Sequence, residues 1–158
     1  MKEEIKFAVD SMLGRLARWL RILGFDTLYI RRLDEDRIEK LKREERIFLS
    51  RKRKNLDIFS RSLYIHSDHI NEQLREVISH FSLPIRESSL FSRCIICNTP
   101  IEKADKVDAL ENVPEYVYHR VAESISFCPT CKRFYWPGTH RDRVLNQLSK
   151  WSIIKINS

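Results

Sequence analysis

Apolar positions along the chain alternate between short runs and longer stretches of helical spacing. Ile5 to Val9 is a compact apolar run ending in Asp10-Ser11, and beyond it Leu13, Leu16, Ala17, Leu20 and Leu23 recur at the interval of one helix face. A strand followed by an amphipathic helix is predicted. Gly24 suits the left-handed residue that closes a helix, with Phe25 folding back on the last turn. Thr27 to Ile30 is a second β-prone run. Asp34-Glu35-Asp36 then opens a helical stretch through Ile38 and Leu41, its acids at the positive end of the helix dipole. Ile47 to Leu49 and Leu63 to Ile65 are further strands, and Ser67 or Asp68 is placed to cap a helix carrying Ile70, Leu74, Val77, Ile78 and Phe81, which Pro84 stops. Short buried strands alternating with helices predict an α/β architecture, a mostly parallel sheet covered on both faces.

The pattern changes after Leu90. Cys94-Ile-Ile-Cys97 and Cys128-Pro-Thr-Cys131 stand 30 residues apart, and a helical pattern with Val144, Leu145 and Leu148 follows. The expected division is residues 1–90 for the α/β domain and 91–158 for a small separate module. Two C-x-x-C turns each present two thiolates roughly 3.5 to 4 Å apart, the edge of the tetrahedron around Zn²⁺ with Zn–S bonds of about 2.3 Å. Such a closed four-sulfur site is structural, since it leaves no open coordination position; redox dithiols or unligated cysteines are the alternatives. The stretch from Lys103 to Glu115 is charged and is expected to be an exposed excursion. Phe134, Tyr135 and Trp136 either stack on bases, as aromatic platforms of single-strand binders do, or wedge the small module against the first domain.

Composition narrows the function classes. With 158 residues, 42% hydrophobic and 32% charged, the chain can bury one sizeable core or one modest core plus a small appended module, and disorder throughout is excluded. Three glycines, Gly14, Gly24 and Gly138, cannot supply the glycine-rich loops that cradle nucleotide phosphates, so no nucleotide cofactor is expected. No stretch approaches the roughly 18 to 20 apolar residues of a membrane span, and Met1 to Ile5 lacks the apolar core of a secretory signal. A soluble cytoplasmic protein is expected, in which four cysteines are metal ligands before they are disulfides.

Lys and Arg number 29 against 22 Asp and Glu, a formal net charge of +7 spread over both halves, which favours a polyanionic partner. Arg15, Arg18 and Arg21 recur at three-residue intervals on the face away from the leucines, with Trp19 beside them; such a row matches a phosphate backbone or is simply a solvated face. Arg51-Lys52-Arg53-Lys54, directly after the third strand, adds four consecutive positive charges near the same sheet edge and points to nucleic acid. Asp10 stands where a strand ends and a helix begins, and ligands of open α/β sheets gather at the carboxyl ends of strands. Asp34, Asp36 and Asp68 occupy comparable junctions. Together they could hold Mg²⁺ or Mn²⁺ for phosphodiester hydrolysis, or each could cap its helix.

The motifs Phe7-Ala-Val-Asp10, Met12-Leu-Gly14-Arg15-Leu-Ala-Arg18-Trp-Leu-Arg21-Ile-Leu-Gly24-Phe-Asp26-Thr27 and Arg93-Cys94-Ile-Ile-Cys97-Asn98, with Cys128-Pro-Thr-Cys131-Lys132 and Tyr135-Trp136-Pro-Gly138-Thr-His140, resemble the Mut-seven carboxy-terminal RNase-domain family. The resemblance covers nearly the whole chain. It implies a PIN-like nuclease fold joined to a zinc ribbon, and a metal-dependent endoribonuclease whose acidic cluster includes Asp10, Asp34 or Asp36, and Asp68, with the ribbon helping to grip RNA. One position departs from it. Where the family typically reads Leu-Thr-Arg-Asp after the third strand, this chain reads Leu49-Ser50-Arg51-Lys52. An ammonium in place of a carboxylate opposes a divalent cation, and Asp57 is the nearest downstream acid. The departure raises a second reading, a catalytically silent RNA-binding or ribosome-associated adaptor in which Lys52 holds a phosphate.

Overall fold

The computed structural model describes residues 4–155. The chain divides into two compact units, the first running to Asn98 and the second beginning at Thr99.

The first unit is built on a four-stranded, all-parallel sheet of β1 (Lys6–Val9), β2 (Asp26–Tyr29), β3 (Ile47–Ser50) and β4 (Ser62–Tyr64), in the order β2-β1-β3-β4. Helices α1 (Gly14–Ile22), α2 (Glu35–Arg43) and α3 (Ile70–Phe81) connect and cover it. The two central strands, β1 and β3, are the most apolar because both of their faces are covered. One face carries Ala8 and Phe48 against Ile38 and Leu41 of α2 and against Phe59 from the turn after β3. On the opposite face Phe7 meets Phe81 of α3 and Phe25 edge-on. Thus the expected parallel sheet flanked by helices is found.

Local signals explain the junctions. Gly24, at φ 97°, ends α1 in the left-handed conformation, and a Cβ there would sit 2.4 Å from the Ser89 carbonyl oxygen. Asp34 caps α2 by accepting from the Arg37 amide at 2.8 Å. Neither Ser67 nor Asp68 caps α3, whose flanking residue is His69; the Ser67 hydroxyl instead bonds Glu72 and receives the His69 amide.

The second unit holds a three-stranded antiparallel sheet, β5 (Glu102–Lys103), β6 (Ser126–Phe127) and β7 (Phe134–Tyr135), with α4 (Lys106–Asn112), α5 (Glu115–Val121) and α6 (Thr139–Lys150). The stretch from Lys103 to Glu115, expected as an exposed excursion, is exposed apart from Ala104, Ala109 and Val113, but it is not irregular: it carries α4 and leads into α5. Ala104, Ala109, Val113, Val117 and Ile125 form a buried cluster under them, with Phe134 and Trp136 packed against it. Each of these helices spans 7 residues, too few to show an amphipathic stripe, and the surrounding charges hide the four-residue step from Ala109 to Val113 to Val117.

Candidate nucleic-acid interface and metal centre

Strand order 2-1-3-4 reverses direction between β1 and β3, which makes the carboxyl ends of those two strands the topological switch point, the place where open α/β sheets leave a crevice. A cavity of about 260 Å³ opens there, lined by Asp10 and Ser11 after β1, Ile30 to Leu33 after β2, and Ser50, Lys52, Lys54 and Asn55 after β3.

Asp10 is only 8% exposed, and its carboxylate ties the two strand ends together. Oδ1 accepts from the Met12 amide at 2.8 Å, while Oδ2 accepts from the Arg51 amide at 3.0 Å and from the Ser50 hydroxyl. The Ser50 oxygen in turn accepts from the Lys52 amide at 2.9 Å. Asp10 therefore fixes the backbone from which the 51–54 cations project.

The other carboxylates lie elsewhere. Asp34 is committed to its helix cap, Asp36 is exposed in the first turn of α2, and Asp68 is exposed beside His69 at 3.5 Å. None of the three lines the cavity, and Asp57 lines a different one with Lys42 and Arg46. A divalent cation at the switch point would meet a single carboxylate, with both oxygens already accepting hydrogen bonds and an ammonium on the same wall. Mg²⁺ is commonly held by one or two carboxylates with waters and phosphates completing its shell, but here the single carboxylate already accepts three hydrogen bonds and cations share its wall, a charge balance that opposes a divalent ion.

Cations dominate instead. Arg31, Arg32, Lys52 and Lys54 all line the cavity, and among the described residues none of them forms an ion pair, whereas Arg46, Arg93, Lys103 and Lys106 are each paired with carboxylates. Arg53 lies over the Tyr64 ring at 4.4 Å, and Arg51 is half-buried. Arg31 and Arg32 carried no weight in the sequence reading, although residues directly after a strand of such a sheet are placed for ligand contact.

The arginine row of α1 does not survive as a row. Arg15 and Arg18 are exposed, but Arg21 is buried. Its Nε donates to the Thr27 carbonyl at 2.9 Å and its Nη1 to the Ile95 and Ile96 carbonyls at 3.0 and 3.1 Å. The three-residue step winds each successive arginine about 60° further round the helix, which carries Arg21 to the protein side. Burial holds its guanidinium below the ordinary value, against the opposing charges of Cys94, Cys97 and Asp26. Arg21 is thus an internal clamp on the first cysteine turn, not a phosphate contact.

Asp26 completes that clamp. The Asn98 side-chain Nδ2 donates to its Oδ1 at 2.7 Å, and the Asn98 side-chain Oδ1 accepts from the Thr27 backbone amide at 2.9 Å. Arg46 reaches the same Oδ1 at 2.8 Å. Burial alone would raise the Asp26 carboxyl, but the hydrogen bonds from Arg46 and Asn98 and the charges of Arg46 and Arg93 outweigh it and hold the group below its usual value.

The two C-x-x-C turns share one geometry. The Asn98 amide donates to the Cys94 carbonyl at 2.9 Å and the Lys132 amide to the Cys128 carbonyl at 2.8 Å, and both residues are left-handed, at φ 72° and 63°. Lys adopts that region at a cost of roughly 1 to 2 kcal/mol, which something in the second turn must offset. The sulfurs of Cys94, Cys97, Cys128 and Cys131 all lie within 4.8 Å of one another, the one such group of potential ligands among the described residues. Four thiolates so close repel one another unless a cation sits among them, and tetrahedral Zn²⁺ suits both the spacing and the sulfur donors.

No described helix is long and apolar enough to cross a membrane. No curated protein and no solved structure matches the chain. The family model of the Mut7-C RNAse domain matches residues 5–148, from β1 through the cationic switch point and both cysteine turns into α6, and the chain belongs to that family.

Proposed function

We propose that the chain is an RNA-binding member of its family, which grips the phosphate backbone at the switch-point cavity and does not hydrolyse it. The observation that carries this reading is the imbalance of the cavity wall. Arg31, Arg32, Lys52 and Lys54 line it with no carboxylate partner among the described residues, while the one acid in its lining, Asp10, already accepts hydrogen bonds from Ser50, Arg51 and Met12. Guanidinium and ammonium groups so placed contact phosphates and release counterions. Arg15 and Arg18, exposed on α1, and Arg51 and Arg53, in the run after β3, are further cations that this reading assigns to the RNA contact. Zn²⁺ held by the four cysteines would supply folding stability and no chemistry.

Family membership favours a second reading, a Mg²⁺- or Mn²⁺-dependent endoribonuclease acting through Asp10, Asp34, Asp36 and Asp68. The two part in one experiment. Fluorescence anisotropy with labelled RNA should show salt-sensitive binding by the natural chain, weakened at least about tenfold by Lys52→Glu, with a shallower salt dependence. Gel assays in Mg²⁺ and Mn²⁺ should show intact RNA. Metal-dependent cleavage that Asp10→Asn abolishes would establish the nuclease reading in its place.

A further inference from the structure

Tyr29 ends β2, immediately before Ile30, Arg31 and Arg32, which line the cavity. Its hydroxyl donates to the Ser11 carbonyl at 2.9 Å, and Ser11 lines the same cavity. The ring lies over Gly14, where a Cβ would stand 3.6 Å from Cε2. An aromatic side chain held at both its tip and its edge has little rotamer freedom left to lose. Yet it is 37% exposed, although Thr27, two residues earlier on the same side of the strand, is fully buried. Met12, next to Ser11 in the chain, is 57% exposed.

Most other aromatic groups have structural work. Phe7, Phe48 and Phe59 fill the first unit, Phe127, Phe134 and Trp136 pack on the core of the second, and the face of Tyr64 is covered by Arg53. Tyr116 is exposed on α5, with no cavity residue beside it in the chain. Tyr29 combines a fixed, accessible ring with unpaired cations one and two residues away along the chain from its neighbour Ile30. That is the composition of a single-strand site, a stacking surface beside a backbone-tracking groove.

We propose that Tyr29 is a base-stacking platform that makes the cavity selective for single-stranded RNA, one base lying on the ring while the adjoining phosphate enters among Arg31, Arg32, Lys52 and Lys54. This rests on the RNA-binding reading above and adds the strandedness of the ligand. Bases in a duplex are stacked on each other and cannot be offered to the ring. The test is fluorescence anisotropy of the full chain with a labelled single strand and with the duplex of the same sequence. Tyr29→Ala and Tyr29→Leu should weaken single-strand binding roughly 5- to 100-fold and leave duplex binding within about twofold. Tyr29→Phe keeps the ring and should bind within a few-fold of the natural chain; it also reports on folding, because it gives up the Ser11 bond alone. Single-strand affinity unchanged in the Ala and Leu variants, or an equal loss for both RNA forms, overturns the platform. If Lys52→Glu weakens binding and the Tyr29 variants do not, only the platform falls. A natural chain that binds neither RNA removes the RNA-binding reading with it.

Discussion

Replacing Asp10 by alanine tests whether this carboxylate is a metal ligand or a structural tie, because the two roles predict opposite signs for stability. In the structure it accepts from Met12, Ser50 and Arg51. Hydrogen bonds to a charged group contribute about 1.5 to 3 kcal/mol each, and a buried group left without a partner costs about 1 to 3 kcal/mol. The Met12 and Arg51 amides lie close enough to the surface to recover water, so the main loss is at Ser50, 1% exposed, whose hydroxyl loses its acceptor. A net destabilisation of about 3 kcal/mol follows, and roughly half that for Asp10→Asn, which keeps one acceptor oxygen and the packing. Guanidinium denaturation of the zinc-loaded protein, followed by circular dichroism, would show the lowered midpoint at unchanged slope. Carboxylates gathered for a metal repel one another without it, and neutralising one then relieves the fold. A gain in stability, or a loss below about 1 kcal/mol, would refute the tie.

The four cysteines should hold about one Zn²⁺ per chain by elemental analysis, and chelation should abolish near-ultraviolet circular dichroism of the second unit; a chain that keeps that signal without metal contradicts a structural site. Asp26 should give the acid limb of stability a specific cause. Its folded-state carboxyl lies below the unfolded value of about 3.9, so the unfolded chain takes up the proton first. The contribution is complete above that value and is lost as pH falls through the lower folded one. Asp26→Asn should therefore be less stable at neutral pH and show a flatter decline below about pH 4, measured as unfolding midpoint against pH; an unaltered decline would assign the acid sensitivity elsewhere.

What the sequence disclosed follows from the range of each signal. Periodicity found β1, α1, β2, α2, β3, β4 and α3, because each buries a stripe or a run that local spacing records. Cysteine spacing found the four-sulfur cluster, since two C-x-x-C turns constrain their own sulfurs. The Asp10–Ser50 tie was invisible, being a contact across 40 residues between strands whose adjacency only the sheet order creates. Arg21 misled for the same reason: helical spacing marks its face as polar, and nothing local reveals that Ile95 and Ile96 bring backbone carbonyls to it. A charged residue on a polar stripe can be a solvated group or a buried clamp, and only long-range packing decides which.

Each end of the α1–β2 hairpin of structure serves one task. At one end of α1, Arg21 grips the first cysteine turn, and Asp26 and Thr27, where β2 begins, hold Asn98. At the other end, Ser11 and Gly14 seat the Tyr29 ring, and Arg31 and Arg32 follow it into the cavity. Parallel strands run in one direction, so β2 necessarily delivers its first residues to the first cysteine turn and its last to the switch point. A substitution near Gly24 should thus disturb the cysteine turn through backbone placement, whereas one near Ser11 should disturb the cavity. Lys52 fits the second task. In a crevice whose one acid among the described residues already accepts from Met12, Ser50 and Arg51, an added ammonium leaves a net positive wall, and such a wall attracts a phosphate and opposes a metal ion.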